Sequence, residues 1–79
     1  MPGLPLVIYR ADDEVVYYHE NLGAVIWRKP IRDYGGGVRG YDDQRMTVGK
    51  ATDRLRQRLL HRQADLLKKI HLRRELERC

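Results

Sequence analysis

Five cations, Arg54, Arg58, Arg62, Lys69 and Arg73, recur at intervals of four and seven near the end of this 79-residue chain. On an α-helix those intervals set side chains on or beside one flank. Guanidinium and ammonium groups in such a column bind phosphate or carboxylate. Arginine outnumbers lysine seven to three over residues 46–79, and its planar fork meets either anion through two parallel hydrogen bonds. Arg39 adds a cation upstream, and Tyr17, Tyr34 and Tyr41 offer rings that stack on bases or anchor a protein contact. The plainer reading is that Arg and Lys keep a helix soluble, with Asp53, Asp65, Glu75 and Glu77 making local pairs.

Other chemistry is weaker. Residues 35–40, Gly-Gly-Gly-Val-Arg-Gly, satisfy the pattern GxGxxG. A dinucleotide site needs that pattern between a strand and a helix of a βαβ unit, and no such unit fits here. Thr47-Val48-Gly49-Lys50-Ala51 resembles part of a P-loop but has Gln44 where the first glycine belongs and Ala51 where Ser or Thr must follow the lysine. His61 and His71 stand ten apart, not on one helix face as an i, i+4 metal pair would, and His19 is remote from both. There is no serine, and the single cysteine, Cys79, is the last residue, where no base can be held against it. We expect no catalytic residue, no metal and no cofactor, hence a protein that is not an enzyme.

Composition narrows the class. The length suits a single small domain with a core of marginal size, and one cysteine excludes an internal disulfide. The first residues lack the basic and apolar regions of a signal peptide, and no apolar run has membrane-spanning length. The expectation is a cytoplasmic protein with no membrane partner. The net charge of +5 divides into −1 over residues 1–45 and +6 over residues 46–79. Positive charge therefore belongs to residues 46–79, which favours an anionic macromolecule, either nucleic acid or an acidic protein surface.

The elements that must position these groups follow from patterning. Leu6-Val7-Ile8-Tyr9, Val15-Val16-Tyr17-Tyr18 and Ala24-Val25-Ile26-Trp27 are β-branched and aromatic, separated by the turn-forming stretches 11–14 and 20–23. They predict a three-stranded antiparallel meander within residues 5–28, ended by Pro30. Residues 29–45, with four glycines, read as a flexible loop. Residues 46–78, without proline, read as one long basic amphipathic helix capped by Thr47, or by Asp43 if it starts earlier. Its main stripe is Val48, Ala51, Leu55, Leu59, Leu66 and Ile70, and a second ridge is Leu60, Ala64 and Leu67. The predicted core is Val7, Tyr9, Val16, Tyr18, Ile26, Leu55 and Leu59.

The fold class expected is α+β. The function expected is a small basic nucleic-acid-binding protein acting through the helix. The competing reading is a protein-binding module, an inhibitor or assembly factor, docking helix or sheet on an acidic partner. A helix of some thirty residues would reach ~45 Å, farther than so small a sheet can cover, so pairing as a homodimer through the leucines is also expected.

Overall fold

The computed structural model describes residues 6–78. The fold is α+β, as patterning predicts, with four strands rather than three: β1 (Leu6–Ala11), β2 (Glu14–His19), β3 (Ala24–Arg32) and β4 (Val38–Met46). They form one antiparallel sheet in the order β1-β2-β3-β4. Two helices follow, α1 (Val48–Gln57) and α2 (His61–Arg78), and both pack on the same face of the sheet.

The fourth strand corrects the reading of 29–45 as a flexible loop. β3 runs through Pro30 to Arg32 and pairs with β4 from Val25↔Met46 to Arg32↔Val38. Pro30 lies beyond the last β2–β3 pair, Val15↔Arg28, where β3 has a neighbour on one side only and a missing N–H is tolerated. The run of glycines is the hairpin turn. The Asp33 carboxylate accepts hydrogen bonds from the Gly35 and Gly37 N–H groups, each at 2.9 Å, and Gly36 takes φ +82°, which a side chain resists.

The long helix is broken. Thr47 caps α1 as expected, its hydroxyl accepting from the Lys50 N–H at 3.2 Å. Val48, Ala51, Thr52 and Leu55 then form the buried face of α1. After Arg58 the chain reverses its hand at Leu59, φ +62°. The Leu60 N–H donates to the Leu55 carbonyl and the Leu59 N–H to the Arg56 carbonyl, both at 2.9 Å. This is a Schellman termination with leucine where glycine is usual. The break moves the burden from one ridge to the other: α2 buries Ala64 and Leu67 with Leu60 packed beside them, and leaves Leu66 exposed.

Val16, Tyr18 and Leu55 are buried as predicted, while Tyr9 and Ile26 are only partly covered. Two core assignments are wrong. Leu59 is 79% exposed because it occupies the termination. Val7 is 47% exposed because a bulge between Val7 and Tyr9 turns Ile8 inward in its place. Trp27, assigned no place in the core from sequence, is its largest fully buried side chain.

The termination yields a test. Leu59→Gly removes the left-handed strain and little packing, so it should stabilise the fold by about 0.5–1 kcal/mol, with Leu59→Ala changing it by less than about 0.5 kcal/mol. Denaturant melts of both variants decide this. A loss above about 2 kcal/mol for Leu59→Ala would restore Leu59 to the core.

Candidate nucleic-acid interface

The five cations do not act as one column. Arg54, on α1, and Arg58, the residue that closes its C-terminus, face the sheet. The Arg54 guanidinium carbon lies 5.2 Å from the Trp27 ring centroid, and that of Arg58 lies 5.6 Å from Trp27 and 5.6 Å from Tyr9. Arg54 donates to the Gln44 amide oxygen at 3.0 Å. Arg58 donates to Glu14 Oε1 at 2.8 Å, while the Trp27 indole N–H donates to Glu14 Oε2 at 3.0 Å. One carboxylate thus joins indole and guanidinium. Partial burial raises the Glu14 carboxyl, but the Trp27 and Arg58 hydrogen bonds and the charges of Arg58 and Lys29 outweigh it, so its pKa lies below the ordinary value of 4.5. Arg54 and Arg58 therefore have partners within the fold, although the Arg58 side chain stays 40% exposed. The sequence does not reveal this, because helical spacing alone cannot say which flank meets the sheet.

Other charges tie the helices in place. Arg56 donates to Asp65 at 2.7 Å and so joins α1 to α2, and this hydrogen bond holds the Asp65 carboxyl below its usual range. The Tyr18 hydroxyl meets His71 Nδ1 at 2.9 Å, and burial pushes the Tyr18 phenol up. Arg74 lies against the β2–β3 turn. A Cβ on Gly23, which also takes φ +61°, would stand 3.0 Å from the Arg74 Nη1. Arg74 pairs with Glu75 at 3.1 Å.

What remains is the outer face of α2. Arg62, Lys69 and Arg73 project from the side opposite Ala64 and Leu67, in a stripe ~16 Å long. Lys68 and Arg78 stand nearby on the same helix. Among the described residues none of these five has an ion-pair partner, whereas Arg28, Arg32, Arg56, Arg58 and Arg74 each have one. A groove of about 700 Å³ runs beside the stripe, with Lys69, Arg73 and Arg78 on one wall and Leu6, Glu20 and Asn21 on the other.

Arg39 and the tyrosines lie elsewhere. Arg39 is exposed on β4, and Tyr34 is fully exposed at the tip of the β3–β4 hairpin. Tyr17 and Tyr41 share the sheet face that the helices leave open. Between them is Arg28, whose guanidinium carbon lies 5.3 Å from the Tyr41 ring centroid. Arg28 also grips Asp43 with two hydrogen bonds, 2.7 and 2.9 Å, which lower the Asp43 carboxyl. Lys68, Arg78 and Arg28 were not among the residues picked from sequence. Lys68 and Arg78 carried the signal of charge alone, and Arg28 carried none without the strand that pairs with it.

Among the described residues no group of three or more His, Cys, Asp or Glu side chains gathers to hold a metal, and no helix is long and apolar enough to cross a membrane. Compared with known proteins, the chain matches no family model, no curated protein and no solved structure.

The Glu14 link gives a pH test. A carboxyl whose folded pKa is depressed adds stability in full above its unfolded value, and that stability is lost as the pH falls through the folded value. The Tm of the native protein should therefore fall as acid is added below about pH 4.5. Glu14→Gln should flatten that decline and cost about 1–3 kcal/mol at neutral pH. Equal slopes for the two proteins would show that Glu14 does not couple folding to pH.

Proposed function

We propose that this is a small, non-enzymatic nucleic-acid-binding protein that holds the phosphate backbone along the outer face of α2. The observation that carries the reading is that Arg62, Lys69 and Arg73 share that face and, among the described residues, have no ion-pair partner. An exposed ion pair contributes little to stability, but an unpaired row of cations attracts a polyanion and displaces its counterions. Arg62, Lys69 and Arg73 project together, so successive phosphates of one strand can be met by one rigid element. The contacts are to backbone and not to base edges, so this face binds without regard to sequence.

A second reading is favoured by a separate observation. Leu72 and Leu76 are 62% and 67% exposed on α2. Leu72 borders a groove of about 500 Å³ between the helices, lined also by Val48, Thr52 and His71. Leucines left in water on a folded helix suit a protein contact, either an acidic partner or a second copy of this chain. In that case the protein is a binding module, and light scattering at micromolar concentration would show a dimer mass if the partner is itself.

Replacing Arg62, Lys69 and Arg73 together with glutamine should weaken binding to duplex DNA of any sequence. The slope of log affinity against log salt should flatten by up to ~3, since each phosphate contact contributes just under one. Arg54→Ala with Arg58→Ala should leave that slope unchanged while lowering thermal stability. An unchanged slope in the α2 variant, or no binding by the native protein at low salt, would transfer the function to the protein partner.

A further inference from the structure

We propose that the open face of the sheet is a second binding surface, a stacking platform for a single-stranded nucleic acid. The proposal rests on the nucleic-acid reading of α2 for the class of polymer, but it uses different residues on the opposite side of the molecule.

Strand alternation fixes which side chains lie there. Val16, Tyr18, Val25, Trp27 and Met46 point into the core, so Tyr17, Ile26, Arg28, Tyr41 and Arg45 point away from it. In the β2–β3–β4 register Tyr17 stands opposite Ile26, Arg28 is the next outward residue along β3, and Tyr41 stands opposite Pro30, one outward step further. Tyr17, Arg28 and Tyr41 therefore form a diagonal across three strands, each step a diagonal neighbour contact of about 7–8 Å. All three are planar groups able to stack on a base: two phenols and a guanidinium. Arg28 lies over the Tyr41 ring and is held there by its two hydrogen bonds to Asp43, so the middle of the row is preformed rather than a loose side chain.

The charge on this face selects a polyanion over an acidic or neutral patch on a protein. Asp43 is the only acid among the strand residues that point this way, and Arg28 occupies it. Arg10, opposite Val15 on β1, and Arg45, opposite Ile26 on β4, stand at the two edges, exposed and without an ion-pair partner among the described residues. A diagonal of planar groups from β2 across β3 to β4, with cations on both edge strands, matches a strand whose bases stack on the rings while its phosphates run along the rim. A duplex, with its bases already stacked and hidden, gains nothing from Tyr17 and Tyr41. The two faces therefore separate by substrate: single strand on the sheet, backbone of either form on α2.

The test uses the full chain and two labelled probes, an oligothymidine of about twelve nucleotides and a duplex hairpin of random sequence. Tyr17→Leu with Tyr41→Leu should weaken oligothymidine binding at least about tenfold and leave the duplex affinity within about twofold. If the tyrosine variant fails to fold, Arg10→Glu with Arg45→Glu, at exposed positions, should give the same selective loss. Ultraviolet crosslinking of the native protein to a bromouracil-substituted strand should place adducts on Tyr17 or Tyr41. Unchanged oligothymidine binding in both variants, or adducts confined to α2, overturns the platform and leaves the α2 reading standing. Binding of the oligothymidine without any binding of the duplex keeps the platform and overturns the α2 reading. Binding of neither probe overturns both.

Discussion

The buried indole of Trp27 and the carboxylate that satisfies it organise this molecule. Trp27 brings the largest apolar surface in the core, but its N–H must find an acceptor once water is excluded. Glu14 supplies the acceptor from the neighbouring strand. A carboxylate at the margin of a core in turn needs a cation, and Arg58 supplies it from the helix. Arg58 and Arg54 then lie over the ring they help to seal. Strand, indole, acid and helix are thus joined in one continuous chain of dependence, and the position of α1 on the sheet follows from it.

That arrangement also decides where function can reside. A chain with net charge +5 and ten cations over residues 46–79 offers, by composition alone, all of them to a partner. The fold withdraws Arg54 and Arg58 to the core margin, Arg56 to the contact between helices and Arg74 to the β2–β3 turn. Of the cations without such duties, Arg62, Lys69 and Arg73 share the far side of α2. Division of labour among residues of one type is invisible to composition and to periodicity; it depends on which flank the packing conceals.

The meander, the cap at Thr47 and the buried positions Val16, Tyr18 and Leu55 were legible because each rests on a local signal: β-branched runs, a hydroxyl at a helix start, apolar spacing. β4 was not legible. Of its nine residues only Met46 is buried, so no alternation betrays it, and the glycines ahead of it speak for a linker as readily as for a turn. The break at Leu59 was hidden for a similar reason, since the residue in the left-handed position is a leucine that fits a helical stripe. The sole hint was a step of seven in that stripe, over Arg62 and Gln63. Of the candidate site, the outer α2 cations Arg62, Lys69 and Arg73 could be read directly. The grouping of Tyr17 with Tyr41 could not, because it exists only once β4 is paired.

Both margins of the sheet bear features that discourage growth. β1 is kinked by the bulge at Ile8, and β4 presents Arg39, Asp42, Asp43 and Arg45 along a nine-residue edge. A regular edge strand offers a row of unpaired amides and carbonyls that another chain can extend, and irregularity and charge are the usual defences. A protein whose two helices both pack on one face of its sheet needs those defences more than most. The same four charged residues that conceal β4 from pattern recognition thereby keep an open sheet from becoming the seed of an aggregate.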